Sequence, residues 1–204
     1  MAAYNEEKII RKSLENFKKI YTMDKSIEVM IGLDGCNDKT REIIDEYPFI
    51  KAYNFKERSG KTAIINQLAK KTSGDILIIH DADWIFSIKD KSRLLELKKE
   101  FKDNTIGGIA EAYPIEFIPG ELNKIHSIGH LGSLWANYLW MDFLKKKYTY
   151  RENGKLYTLS SKKSYPFLVN IMRKTLFKET TTLGDDYQRT LDILQSGYKV
   201  IIKE

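Results

Sequence analysis

Apolar residues recur along this chain in two periods, and the alternation between them predicts its architecture. From Glu6 to Tyr21, Ile10, Leu14, Phe17 and Tyr21 share one stripe with lysines and glutamates opposite, the pattern of a helix lying on a core. Ile27 to Leu33 is a short β-rich run that ends in the turn cluster Asp34-Gly35-Cys36-Asn37-Asp38. Asp38 or Thr40 opens a second helix ending before Pro48, and Ile50 to Phe55 is the next predicted strand. Ser59 and Gly60 lead into a third helix, ended by Gly74, with Ile64, Ile65, Leu68 and Ala69 turned inward. Asp75-Ile76-Leu77-Ile78-Ile79-His80-Asp81 then reads as a buried strand, with Asp83 just beyond it. Helix and strand alternate throughout these first eighty residues, which predicts an α/β fold with parallel pairing.

After Asp83 the rhythm loosens. The pattern predicts a helix from Ser87 to Phe101, then Gly107 and Gly108 leading into a strand near Ile109 to Tyr113. A long aromatic segment runs from Glu121 to Tyr148. A last helix, Asp185 to Gln195, is stopped by Gly197 as a left-handed residue, and a strand from Lys199 to Ile202 closes the chain. The chain opens on the turn-like Ala3-Tyr4-Asn5 with no strand before it, so a fragment lacking its first strand is expected.

The 204 residues suit one domain with a sizeable core. Lys plus Arg number 34 against 28 Asp plus Glu, a net charge of +6 that favours polyphosphate ligands, nucleic acid or an anionic membrane surface without choosing among them. Cys36 is the one cysteine, so no internal disulfide can form and a reducing compartment is compatible. No stretch reads as membrane-spanning or as a signal peptide.

Several residues carry candidate chemistry. Asp81 and Asp83 stand at a strand end, where open α/β sheets place their ligands, and hard carboxylate oxygens suit Mg²⁺ or Mn²⁺. Arg58 and Lys61 flank a glycine at a helix start, where cations and backbone N–H groups make an anion site. His80, His126 and His130 lack metal-ligand spacing, and His80 is expected to be a satisfied core residue. Cys36 has no histidine partner and is expected to pack. Trp135, Tyr138, Trp140, Phe143 and Lys145 to Lys147 form an aromatic segment with a basic end, either core helix or a surface for a membrane interface.

Ala3-Tyr4-Asn5-Glu6-Glu7, Leu33 to Thr40, Arg58-Ser59-Gly60-Lys61 with Asn66, Asp81-Ala82-Asp83, and Gly184-Asp185-Asp186-Tyr187 occur in an order that resembles family 2 glycosyltransferases of the GT-A fold. The resemblance covers nearly the whole chain. It departs from the family at Ala2, where a proline is usual, at Asp185-Asp186 in place of Glu-Asp, and in having no Gln-x-x-Arg-Trp motif. It implies a Rossmann-like sandwich with a mostly parallel central sheet, residues 1–83 as the nucleotide-binding half and 84–204 as the acceptor side. It also implies a UDP- or GDP-sugar donor, a divalent metal (Mn²⁺ or Mg²⁺) on Asp81 and Asp83, and donor contacts from Tyr4, Glu6, Asp34, Arg58, Lys61 and Asp81. Asp34 would accept a hydrogen bond from the base, and Asp186 would be the general base of an inverting transfer. The implied partners are a glycan, lipid-phosphate or protein acceptor and peripheral membrane contact, with no nucleic acid, in the cytoplasm or at the cytoplasmic face of a membrane.

Two other readings compete. A P-loop hydrolase would use Gly60-Lys61-Thr62, but Phe55 stands where its phosphate loop needs glycine. An inactive fragment or binding module follows if the lost strand is central to the sheet.

Overall fold

The computed structural model describes residues 1–83, 85–86, 88–111, 139–140, 142–159, 169–181 and 185–203. The chain opens on β1 (Ala2–Ala3), crosses by α1 (Ile10–Met23) to β2 (Val29–Asp34), and by α2 (Thr40–Asp45) to β3 (Ile50–Phe55). These three strands are parallel, in the order β1-β2-β3. The expected turn at Ala3 is therefore a two-residue strand, with Ala2 opposite Gly32 and Ala3 opposite Leu33.

Helix α3 (Lys61–Lys71) leads to β4 (Ile76–Ile78), α4 (Lys91–Glu100) and β5 (Ile106–Glu111). Residues 139–140 and 142–148 are helical. There follow β6 (Thr149–Glu152), β7 (Lys155–Thr158), β8 (Val169–Arg173), a 3₁₀ turn (Lys174–Leu176), α5 (Asp185–Gln195) and β9 (Lys199–Lys203). The second sheet has the order β4-β8-β5-β9-β7-β6, and among the described residues only β5 and β9 of this sheet pair in parallel. Parallel pairing thus governs the first sheet, whereas the second is mixed.

Helix α1 begins later than its stripe suggests because the first turn is spent on cross-loop bonds. The Glu6 N–H donates to Thr40 Oγ1 at 2.7 Å and the Glu7 N–H to Asp38 Oδ2 at 3.1 Å. Ile10 and Leu14 then bury completely against Ile31, Leu33, Ile44 and Tyr47. Asp90 caps α4 by accepting the Arg93 N–H at 3.0 Å.

Glycine sets the closest layers. A Cβ on Gly32 would lie 2.3 Å from Ile64 Cγ2, and one on Gly107 2.5 Å from Ile193 Cγ2, so α3 and α5 press on the sheets where no side chain intervenes. Gly107 and Gly108 therefore belong to β5 and do not merely precede it. At the N-terminal ends of β2 and β4 a cavity of about 400 Å³ is lined by Ile27, Met30, Leu68, Leu77 and Leu94. Ser26, Glu28, Thr72, Ser73, Asp75 and Lys98 add a polar rim to this apolar wall. Among the described residues no helix is long and apolar enough to cross a membrane.

Candidate active site

Asp34 ends β2 and is 3% exposed. Its Oδ1 accepts the Ser59 N–H at 2.6 Å and the Ser59 hydroxyl at 3.2 Å, and its Oδ2 accepts the Gly60 N–H at 2.8 Å. The carboxylate folds the loop before α3 onto the end of the first sheet. Two glycines make that possible. Gly35 has φ +69° with the Arg58 nitrogen 3.0 Å from where a Cβ would stand, and Gly60 has φ +90°. The anion that the loop's N–H groups hold is therefore Asp34 itself. Ser59 and Gly60 therefore have no N–H left for a phosphate, and an anion at this loop would fall to the Arg58 and Lys61 side chains and to the N–H groups from Lys61 onward.

The cations of the same loop point elsewhere. The Arg58 guanidinium lies over the Tyr4 ring, 4.0 Å from its centroid, which joins the first loop to the loop before α3. Lys61 Nζ pairs with Asp81 Oδ1 at 2.7 Å, both side chains being partly exposed. The first loop is laced to the Asp34 loop. Asn5, at φ +54°, donates through Nδ2 to Asn37 Oδ1 at 2.7 Å, and its own Oδ1 accepts the Asn37 N–H at 2.9 Å. Burial, then the charges of Asp83 and Asp38, push the Glu6 carboxyl above its ordinary value. Glu6, Asp38 and Asp83 thus share one negative field.

Asp81 and Asp83 lie beyond the end of β4, on a turn tied to α1. The buried Ser13 hydroxyl donates to the Ala82 carbonyl at 2.6 Å, and Asn16 exchanges two hydrogen bonds with the Phe86 backbone. Neither Ser13 nor Asn16 figures among the sequence candidates. Their signal was polarity beside an apolar stripe, one helical turn apart. His80 also lies past the strand, 7% exposed and edge-on to Phe17, with ring centroids 4.9 Å apart. Among the described residues neither of its ring nitrogens has a hydrogen-bond partner, unlike the satisfied histidine expected, and burial lowers its pKa. The Cys36 thiol donates to the Ala3 carbonyl at 3.3 Å, and burial raises its pKa, as suits packing.

Helix α5 begins at Asp185 as the pattern predicts, but the side chains of Asp185 and Asp186 lie outside the described residues, as do Gly184, His126, His130, Trp135 and Tyr138. Around them, Asn66 Nδ2 donates to the Thr180 carbonyl at 2.9 Å, while Arg189 Nε and Thr190 Oγ1 bond the Val169 backbone at 3.2 Å each. These bonds anchor the segment before α5 to α3 and the helix itself to β8. Among the described residues no three His, Cys, Asp or Glu side chains are grouped to hold a metal unaided.

A family model for glycosyl transferase family 2 matches residues 1–173. The chain belongs to that family. The matched span includes Tyr4, Glu6, Asp34, Arg58, Lys61, Asp81 and Asp83 and stops before Asp186. The chain is 31% identical over 88 residues to the probable glycosyltransferase YdaM of Bacillus subtilis (strain 168), covering 40% of this chain and 21% of that protein. It is 36% identical over 110 residues to the dolichyl-phosphate beta-glucosyltransferase ALG5A of Trichomonas vaginalis, covering 49% of this chain and 33% of that one. The chain therefore spans a third or less of these relatives. Among solved structures, it resembles the mannosyltransferase PcManGT from Pyrobaculum calidifontis in complex with GDP-Man and Mn²⁺ (TM-score 0.61, 19% identity, 99% of this chain and 55% of that one). It also resembles S. aureus TarS 1–349 in complex with UDP (TM-score 0.63, 17% identity, 99% and 56%). At such identities the likeness is one of fold, and it establishes the GT-A architecture.

Proposed function

We propose that this chain is the catalytic domain of a metal-dependent, inverting glycosyltransferase that moves a sugar from a UDP- or GDP-sugar to a hydroxyl or lipid-phosphate acceptor. The observation that carries this reading is the meeting of Tyr4, Glu6, Asp34, Arg58, Lys61, Asp81 and Asp83 beyond the ends of β2 and β4 in a family 2 chain. Residues 1–83 form the donor half and 84–204 the acceptor side. Complexes of fold neighbours with GDP-Man and Mn²⁺ and with UDP support the donor class, and the dolichyl-phosphate relative supports a lipid-phosphate acceptor.

Asp34 uses three of its four lone-pair positions within the protein, which leaves one for a base N–H. Tyr4 offers a ring face to the base or ribose, with Arg58 beside it for the diphosphate. Asp81 and Asp83 are the residues that would hold a cation of the kind that takes one or two carboxylates and completes its shell with phosphate oxygens and water. Bound there, the cation supplies Lewis-acid stabilisation of the departing diphosphate. Lys61 neutralises Asp81 until the donor arrives and then has the diphosphate to pair with. In the transfer, the acceptor oxygen bonds to the anomeric carbon from the opposite face as the carbon–diphosphate bond breaks and its electron pair leaves on the nucleoside diphosphate.

Asp186 takes the acceptor proton where that acceptor is a hydroxyl. A phosphate acceptor has already lost its proton near neutral pH, so the base becomes dispensable there. Asp186→Asn should thus lose ~10²–10⁴-fold in turnover with a hydroxyl acceptor and little with a lipid phosphate. The decisive test of the whole reading is calorimetry of UDP and GDP with and without Mn²⁺. Metal-dependent binding of one of them that Asp83→Ala abolishes is the expected result. Failure of both nucleotides to bind the parent chain overturns the reading.

A further inference from the structure

The helical stretch of residues 139–140 and 142–148 turns Leu144 into the fold and leaves a large apolar face outside. Leu139, Trp140 and Phe143 are 59%, 58% and 46% exposed. Single exposed apolar side chains are ordinary on a protein surface. These three are not scattered. Residues three and four apart are neighbours on a helix, which joins Trp140 and Leu139 to Phe143. The Trp140 and Phe143 rings stack with centroids 5.5 Å apart at 23°. Lysines 145, 146 and 147 follow at the C-terminal end of the same stretch. Lys146 pairs with Asp142 at 2.8 Å, and Lys147 Nζ lies over the rings of Phe143 and Tyr148, 5.4 and 5.3 Å from their centroids.

We propose that this face seats the protein on the surface of an anionic phospholipid bilayer. The charge pattern selects that occupant. The core of a protein–protein interface is depleted of lysine, because each ammonium there would be stripped of water. A bilayer surface suits the same arrangement, since exposed Trp and Phe insert at the headgroup level while lysine stems lie along apolar surface and keep their ammonium groups among the phosphates. The net charge of +6 adds long-range attraction of the same sign. No crossing helix is required, because a face of this kind lies in the interface plane. The proposal rests on the preceding reading only for its purpose, access to a lipid acceptor; its geometry stands on these side chains alone.

The experiment is co-sedimentation of the protein with vesicles of phosphatidylcholine alone and of phosphatidylcholine with phosphatidylglycerol. Nucleotide calorimetry on the same preparations shows separately whether the donor site is intact. The protein should pellet with the anionic vesicles, release at high salt and bind the neutral ones weakly. Trp140→Ser/Phe143→Ser should lose pelleting while nucleotide binding is kept. Leu139→Gln, at the most exposed of the three positions, serves as the second variant if the pair fails to fold, and should weaken binding in the same direction. Lys147→Gln should weaken it about five-fold, the equivalent of ~1 kcal/mol per charge near such a surface. Failure of the parent chain to pellet, or pelleting indifferent to these substitutions, overturns the proposal whatever the nucleotide result. So does a parent that self-associates in sedimentation equilibrium and a double variant that does not, because the face is then covered by a second copy of the chain.

Discussion

Asp34 works as a structural residue before any ligand arrives. Its two oxygens organise the loop that carries Arg58 and Lys61, so Asp34→Ala strands the Ser59 and Gly60 N–H groups inside the protein. A cost of roughly 2–4 kcal/mol is expected from two unsatisfied donors, read as a lower urea midpoint with an unchanged m-value. Unchanged stability would mean that the loop holds itself. Lys61 offers a test of a different kind. It occupies Asp81 at 2.7 Å, so Lys61→Ala should tighten Mn²⁺ binding to the free protein and weaken nucleoside diphosphate binding. Because the pair is partly exposed, the gain for the cation alone should be no more than about five-fold. Opposite signs in the two titrations are the diagnostic outcome. Asp34, Lys61 and Asp81 could be picked out from the sequence because strand-end carboxylates and helix-start cations are local signals. Their pairing could not, since Asp34 meets residues 25 and 26 positions away and Lys61 meets Asp81 across two elements.

At the scale of elements, close approach at glycine is the controlling feature. Gly32→Ala puts a methyl group 2.3 Å from Ile64 Cγ2, so α3 must shift off β2 at a cost of about 1–3 kcal/mol. Thermal unfolding should show the loss, and in an Ile64→Ala background, where Cγ2 is gone, Gly32→Ala should cost less than it does in the parent. Additive losses in the double variant would show that the two positions do not press on each other. The β6–β7 hairpin turns at Asn153 and Gly154, with φ +49° and +76°, so Gly154→Ala should cost about 1 kcal/mol through backbone strain alone. That Asn-Gly pair is a hairpin signal in the sequence itself. Strand β8 was less legible. It lies between β4 and β5, and its Arg173 points out to the carbonyls of Phe101, Asp103 and Ile106, so neither strict alternation nor an apolar run marks it.

Across the whole molecule, charged side chains tie the elements at their edges. Glu28 accepts from Lys51 Nζ at 2.6 Å, Thr72 Oγ1 at 2.9 Å and the Ser73 N–H at 3.1 Å, which fastens the start of β2 to β3 and to the end of α3. Chiefly the Lys51 ammonium lowers its pKa from 4.5 to about 2, against an opposing push from burial. A depressed carboxylate stabilises the fold fully above its unfolded value, so this contribution is complete above pH 4.5 and is lost as the pH falls toward 2. Glu28→Gln should lower the urea midpoint at pH 6 and flatten its acid limb; an acid limb identical to the parent's would rule out Glu28 as a source of the acid sensitivity. The sequence by itself determined the helix–strand alternation of the first eighty residues, the span of β3, the span of α5 with its left-handed Gly197, and the residue types at the candidate site. Each of these follows from side-chain periodicity or turn chemistry within a few positions. Only the tertiary structure decided that the strands divide into a parallel and a mixed sheet, that Asp34 holds its own loop, that Lys61 covers Asp81 and that His80 is buried edge-on to Phe17. Those outcomes depend on which distant groups are brought within about 3 Å, and hydrogen bonds and ion pairs at that range are selected by packing of the whole chain and carry no periodic mark along it.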